Sequence, residues 1–204
     1  MIKALLLIFE PAAAWERVVR AQRSTGFILV VYVLPLLAWA GAAEGFSLMH
    51  WGRTRQYMNQ PNRFTLGEAI VYEVGFSLLT LVAMFVGAKI IKLLGETFHG
   101  RHTYTQAFTT VAYGLSPLLT CRLLDAFPDL SVWIGWAIGM LLSIGVLYQG
   151  LPRVMQPDPP HAFGLYMMSS ILLTMTMGLA RYLGYGYLQG DFKTLEQLVS
   201  RLVG

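Results

Sequence analysis

Few of the side chains that could do chemistry stand where chemistry is usually done. His99 and His102 are three apart in a polar link and could share one metal ion, but no cysteine or aspartate lies close by to complete a ligand set. Cys121 is the single cysteine and falls within an apolar run, so it reads as a small packing residue with no disulfide framework or thiolate cluster around it. There is no His-Glu-x-x-His, no Gly-x-Ser-x-Gly, no P-loop and no pair of acids deep in adjacent apolar stretches. Leu183-Gly184-Tyr185-Gly186 matches part of a potassium-channel filter, but it ends the last apolar stretch with no pore helix or second span after it, and reads as a chance match. The expectation is a protein without catalytic residues, metal or cofactor, and without enzymatic activity.

Two groups of residues remain. Glu73 and Arg122 are ionisable residues within apolar stretches, and such groups are costly at membrane depth unless paired. The sequence allows Glu73 to lie at the interface or partly buried, and Arg122 either to pair with Glu73 inside the bundle or to bond Asp125 locally. The second group is Ala112-Tyr113-Gly114-Leu115-Ser116-Pro117, which puts a proline, a glycine and two hydroxyls at the centre of an apolar stretch. Pro117 has no N–H and frees a carbonyl near Tyr113, with Thr109, Thr110, Ser116 and Thr120 available to satisfy it. That is either a packed kink or the lining of a polar cleft.

The elements that position these residues follow from composition. The chain has 204 residues, 55% hydrophobic and 13% charged, with a mean hydropathy of +0.54, far too apolar for a soluble domain. A bilayer core is about 30 Å thick and a helix rises about 1.5 Å per residue, so the length accommodates five spans in one all-α domain over residues 1–204. We place the spans at about 27–43, 74–94, 104–125, 132–150 and 161–187. The net charge of +4 comes from Lys and Arg at span ends, which suits anionic head groups and does not call for a nucleic-acid partner.

Along the chain, Met1 to Ile8 resembles the start of a secretory signal with an Ala12-Ala13-Ala14 cleavage pattern, but the apolar run stops early, at Glu10-Pro11. A helix starting near Pro11 fits better, lying in the interface with Trp15 at head-group depth and Arg17, Arg20 and Arg23 towards anionic lipid. Pro35 kinks the first span, and Gly45 to Asn62 forms a long polar connection. Thr65/Glu68 and Thr103/Gln106 are capping boxes for the second and third helices, and Lys89 and Lys92 snorkel at the end of the second. In the fourth span Gly135, Gly139 and Gly145 offer a close-approach face, for a neighbouring helix or for a second copy of the chain. Pro152 to Pro160 reads as a rigid loop, Asp158 as the cap of the fifth helix, and 194–202 as an amphipathic tail on the membrane surface. Basic residues divide eight against seven between the two sides, and the cluster beside the first span favours the N-terminus inside and the C-terminus outside.

Phe9-Glu10-Pro11 with Trp15-Glu16-Arg17-Val18, then Ala112-Tyr113-Gly114-Leu115-Ser116-Pro117, then Tyr148-Gln149-Gly150-Leu151 closing a Gly-rich fourth span, together resemble the Yip1 family of small five-span membrane proteins. The resemblance covers nearly the whole chain and implies a non-enzymatic helical membrane protein with a cytoplasmic N-terminus. Eukaryotic members associate with Rab-type GTPases and with one another, using a longer soluble N-terminal region and an Asp-Leu-Tyr-Gly-Pro motif. Neither is found here, which puts a GTPase partner in doubt and points to a compact bacterial member in the inner membrane. Two roles stand open: an adaptor or scaffold that binds other membrane proteins or a second copy, and a small-molecule or ion transporter or channel with a cleft at the third helix, lined by Tyr113, Ser116, Pro117 and Glu73.

Overall fold

The computed structural model describes residues 2–54, 61–97, 103–127 and 129–190. His99, His102 and the amphipathic tail at 194–202 lie outside the described residues, as does Arg55 of the polar connection. The fold is helical, apart from a two-residue antiparallel pairing of β1 (Arg53–Thr54) with β2 (Pro61–Asn62).

Two short helices come first: α1 (Ile2–Phe9) and α2 (Pro11–Ala21), with Pro11 in the first turn where its missing N–H has no helical partner. The head-group environment expected for Trp15 is corrected. Trp15 is fully buried, and its indole Nε1 donates to the Val146 carbonyl at 3.0 Å. Burying the indole inside protein gains its large apolar area while giving its N–H an acceptor. Arg20 and Arg23 are exposed and Arg17 is largely so, as an amphipathic helix with one face in the bundle requires.

The helix α3 (Thr25–His50) is longer than the sequence suggested and takes in the first part of the expected polar connection. Pro35 removes one backbone donor, and the turn before it, Leu29–Val33, is a π-helix that absorbs the ring within a continuous element. The next helix, α4 (Leu66–Thr97), opens with the expected capping box: the Thr65 amide donates to Glu68 Oε2 at 2.8 Å, and the Glu68 amide to Thr65 Oγ1 at 3.3 Å. The third stretch opens with Thr103 and Gln106 as a capping box but is broken into α5 (Tyr104–Gly114), α6 (Ser116–Cys121) and a 3-10 turn, Arg122–Ala126.

In α7 (Val132–Met155) the helix runs through Pro152, correcting the loop expected there. A 3-10 turn, Pro159–His161, leads into α8 (Ala162–Gln189). Asp158 starts this turn through its backbone carbonyl, which accepts from the His161 amide at 2.9 Å, and its side chain does not cap. Among the described residues four helical stretches, Thr25–His50, Leu66–Thr97, Val132–Met155 and Pro159–Gln189, are long and apolar enough to cross a membrane.

The glycines of α7 divide. A Cβ on Gly139 would stand 2.8 Å from the Leu118 Cα, and one on Gly135 would stand 3.3 Å from the Cys121 carbonyl oxygen, so both receive α6 and its 3-10 extension. Gly145 faces open space and takes no part in this packing. The close approach lost to sequence reading is Gly150, where a Cβ would meet the Trp15 ring at 2.1 Å. Gly139→Ala is expected to destabilise the bundle by about 1–3 kcal/mol, because backbone must move. Gly145→Ala should stay within about 0.5 kcal/mol. Thermal midpoints of both variants in one detergent check the contrast.

Candidate functional site

The break in the third helix is built from its own residues. Pro117 cannot donate to the Tyr113 carbonyl one turn back, and Ser116 Oγ donates to that oxygen at 2.6 Å in its place. Since the serine proton is committed there, Tyr32 of α3 is the donor in the buried Tyr32–Ser116 hydrogen bond. Leu115 at the break has φ −85° and ψ 5°, and the Leu118 amide beyond it is met by Ser143 Oγ of α7 at 3.2 Å. Gly114 accepts α7 closely: a Cβ there would overlap the Leu147 side chain at 2.3 Å. Above the break the Tyr113 ring packs on Tyr32 with centroids 4.4 Å apart and meets the Trp15 edge at 6.3 Å. Tyr113, Gly114, Ser116 and Pro117 are therefore together and all buried.

The second assembly lies at the other end of the broken helix, on the 3-10 turn. Tightening the helix there puts Arg122 and Asp125, three residues apart, among three neighbouring helices. Arg122 Nε donates to Glu44 of α3 at 3.2 Å, while its Nη2 makes a short hydrogen bond to Glu73 Oε2 of α4. Tyr72 donates to the other oxygen of Glu44 at 3.4 Å. Asp125 pairs with Arg181 of α8 at 2.7 Å, so the local Arg122–Asp125 bond that the sequence left open is replaced by a pair of interhelical bridges. The Phe76 ring separates the two guanidiniums, with Arg122 4.4 Å and Arg181 5.4 Å from its centroid.

Room for these groups is made by glycine. The Glu73 side chain lies across Gly41 and Gly45, where a Cβ on Gly41 would come within 2.9 Å of Oε2. Gly184 of α8 likewise receives Phe76, at 2.5 Å from a Cβ. Glu44 is 0% exposed and Arg122 7%, so these charges are held by one another and by hydrogen bonds within protein.

Of the residues singled out in the sequence, Glu73 and Arg122 are brought into contact, and the Tyr113–Pro117 group forms a separate assembly. Glu44, Asp125 and Arg181 are the members that sequence reading missed as interior partners. Glu44 falls just past the first span as placed at about 27–43, and Arg181 is one of the basic residues counted to the outer side. For Glu44 and Arg181 the signal is a charge about two turns from the end of its helix, where snorkelling competes with pairing.

An apolar helical bundle with buried interhelical ion pairs and four helices of spanning length is an integral membrane protein. The Yip1 domain matches residues 5–181, and the chain belongs to the Yip1 family. No curated protein and no solved structure matches the chain significantly.

Proposed function

We propose that the protein is a non-enzymatic adaptor or membrane-organising subunit, acting through other membrane proteins or a second copy of itself. The observation that carries this reading is the burial of the helix break's own polar groups. Ser116 is 0% exposed, the carbonyl freed by Pro117 is satisfied within the protein, and the Tyr113 ring is packed against Tyr32 and edge-to-face with Trp15. A transport path through Tyr113, Ser116 and Pro117 would need those groups to face water, so the scaffold reading is preferred. The broken stretch 104–126 supplies the fifth crossing in this reading, with its end-to-end length made up by α5, α6 and the 3-10 turn together. The N-terminus is then cytoplasmic and the C-terminus outside, in a bacterial inner membrane.

The test combines topology and association. Tags at residues 1 and 204 are expected to report opposite sides of the membrane. Crosslinking in native membranes, followed by isolation in mild detergent, is expected to recover a defined complex in preference to free monomer. Free monomer throughout, together with solute flux in proteoliposomes that Ser116→Val abolishes, would favour the transporter reading instead.

A further inference from the structure

A groove of about 510 Å³ runs between α3 and α4, and its walls are almost wholly apolar. It extends from Met49 and Leu66 at one end to Leu34 and Leu81 at the other, and positions 66 to 81 are about 22 Å apart along the helix axis. Glu73 stands near the middle of the groove, and from there to Leu81 about 12 Å of apolar wall remains for an acyl chain lying along the helices. Glu73 is the one ionisable group among the described residues of its lining.

The state of that carboxylate sets what the groove can take. Arg122 occupies Oε2 and is shared with Glu44, whereas Oε1 is buried and has no hydrogen-bond partner among the described residues. An ionised carboxylate only accepts, and a buried acceptor left unmet is costly. The complement is therefore a donor, cationic by preference, attached to an apolar chain and arriving from the bilayer side. Glu73 also lies at a suitable depth. Positions 73 to 92 are about 28 Å apart along α4, close to the roughly 30 Å hydrocarbon thickness, so Glu73 and Lys92 mark opposite edges of the apolar core.

From the single carboxylate, the apolar walls and the depth, the geometry points to a binding site for one aminophospholipid, with an acyl chain in the α3–α4 groove and its primary ammonium on Glu73. A phosphatidylethanolamine supplies N–H donors and positive charge at the edge of the hydrocarbon. A choline head has no N–H to donate, and a glycerol head leaves the lipid with a net negative charge against a carboxylate. This site is independent of the adaptor reading, because it concerns a lipid ligand and not a protein partner.

The test uses the full chain in nanodiscs of equimolar phosphatidylethanolamine, phosphatidylglycerol and phosphatidylcholine, with retained lipid identified by native mass spectrometry after gentle delipidation. The first retained lipid is expected to be phosphatidylethanolamine, enriched about tenfold over its share, as one charge-assisted hydrogen bond provides. Glu73→Gln and Ala42→Phe should each bring retention down to the bulk ratio. Ala42 is an exposed residue of the groove wall, so its substitution fills the groove and leaves the Glu73–Arg122 bridge in place. An unchanged thermal midpoint certifies that variant as folded, and it carries the test alone if Glu73→Gln does not fold. Bulk-ratio retention by the wild type, equal enrichment of phosphatidylglycerol, or enrichment surviving in either folded variant overturns the site.

Discussion

Arg122→Gln should lower the stability of the bundle by about 3–5 kcal/mol, the cost of removing one partner from a buried ion pair. The substitution takes away the guanidinium that Glu44 and Glu73 share and leaves two carboxylates inside low-dielectric surroundings. Glu44 keeps the Tyr72 hydroxyl, at 3.4 Å, and one neutral hydrogen bond does not replace a charge. Thermal or denaturant unfolding in a single detergent checks the size of the loss. A second substitution separates charge from packing: Arg122→Gln combined with Glu73→Gln should recover a good part of what the first removes, because one uncompensated carboxylate is gone. If the double variant is no more stable than the single one, the loss comes from the packing of Arg122 on Phe76 and not from its charge.

The second large effect belongs to Trp15. Replacing it with alanine empties a fully buried site between α2 and α7, where Gly150 leaves room for the ring and Val146 accepts its N–H. Large-to-small substitutions of this kind cost about 3–5 kcal/mol where the surroundings cannot collapse. The same change releases α2, whose other face is exposed arginine. Trypsin cleavage at Arg17 and Arg20 in intact membranes should accelerate markedly in Trp15→Ala and stay slow in the wild type. Trp15→Phe keeps most of the volume without the N–H, and is expected to fall between the two.

The sequence carried a good deal of this fold, by a physical route that can be traced. Capping boxes announced themselves at Thr65 and Thr103 because their chemistry is local, and the helix break at Pro117 was visible because a missing N–H has an unavoidable consequence. The Yip1 membership was legible from the order of three short motifs. Trp15 was misplaced for the opposite reason: an amphipathic helix has the same composition whether its apolar face meets lipid or protein, and only the Gly150 notch decides between them. Gly145 and Gly150 show the same limit, since spacing along one helix does not reveal which neighbour arrives on which face. The interior ion pairs were half visible. Glu73 and Arg122 stood out as charges in apolar stretches, whereas Glu44, Asp125 and Arg181 were close enough to helix ends to pass as surface residues.

The ion pairs also bear on how the chain is made. Glu44 precedes Arg122 by 78 residues and Glu73 precedes it by 49, and Asp125 must await Arg181 on the final described helix. At about 5–20 residues per second, Glu44 is added to the chain roughly 4–16 s before its guanidinium exists. During that interval each early segment carries a carboxylate with its eventual partner still unsynthesised. A chain truncated before Arg122 keeps both carboxylates and lacks their guanidinium, so it is expected to be degraded faster in cells than the full chain, as pulse-chase labelling would check.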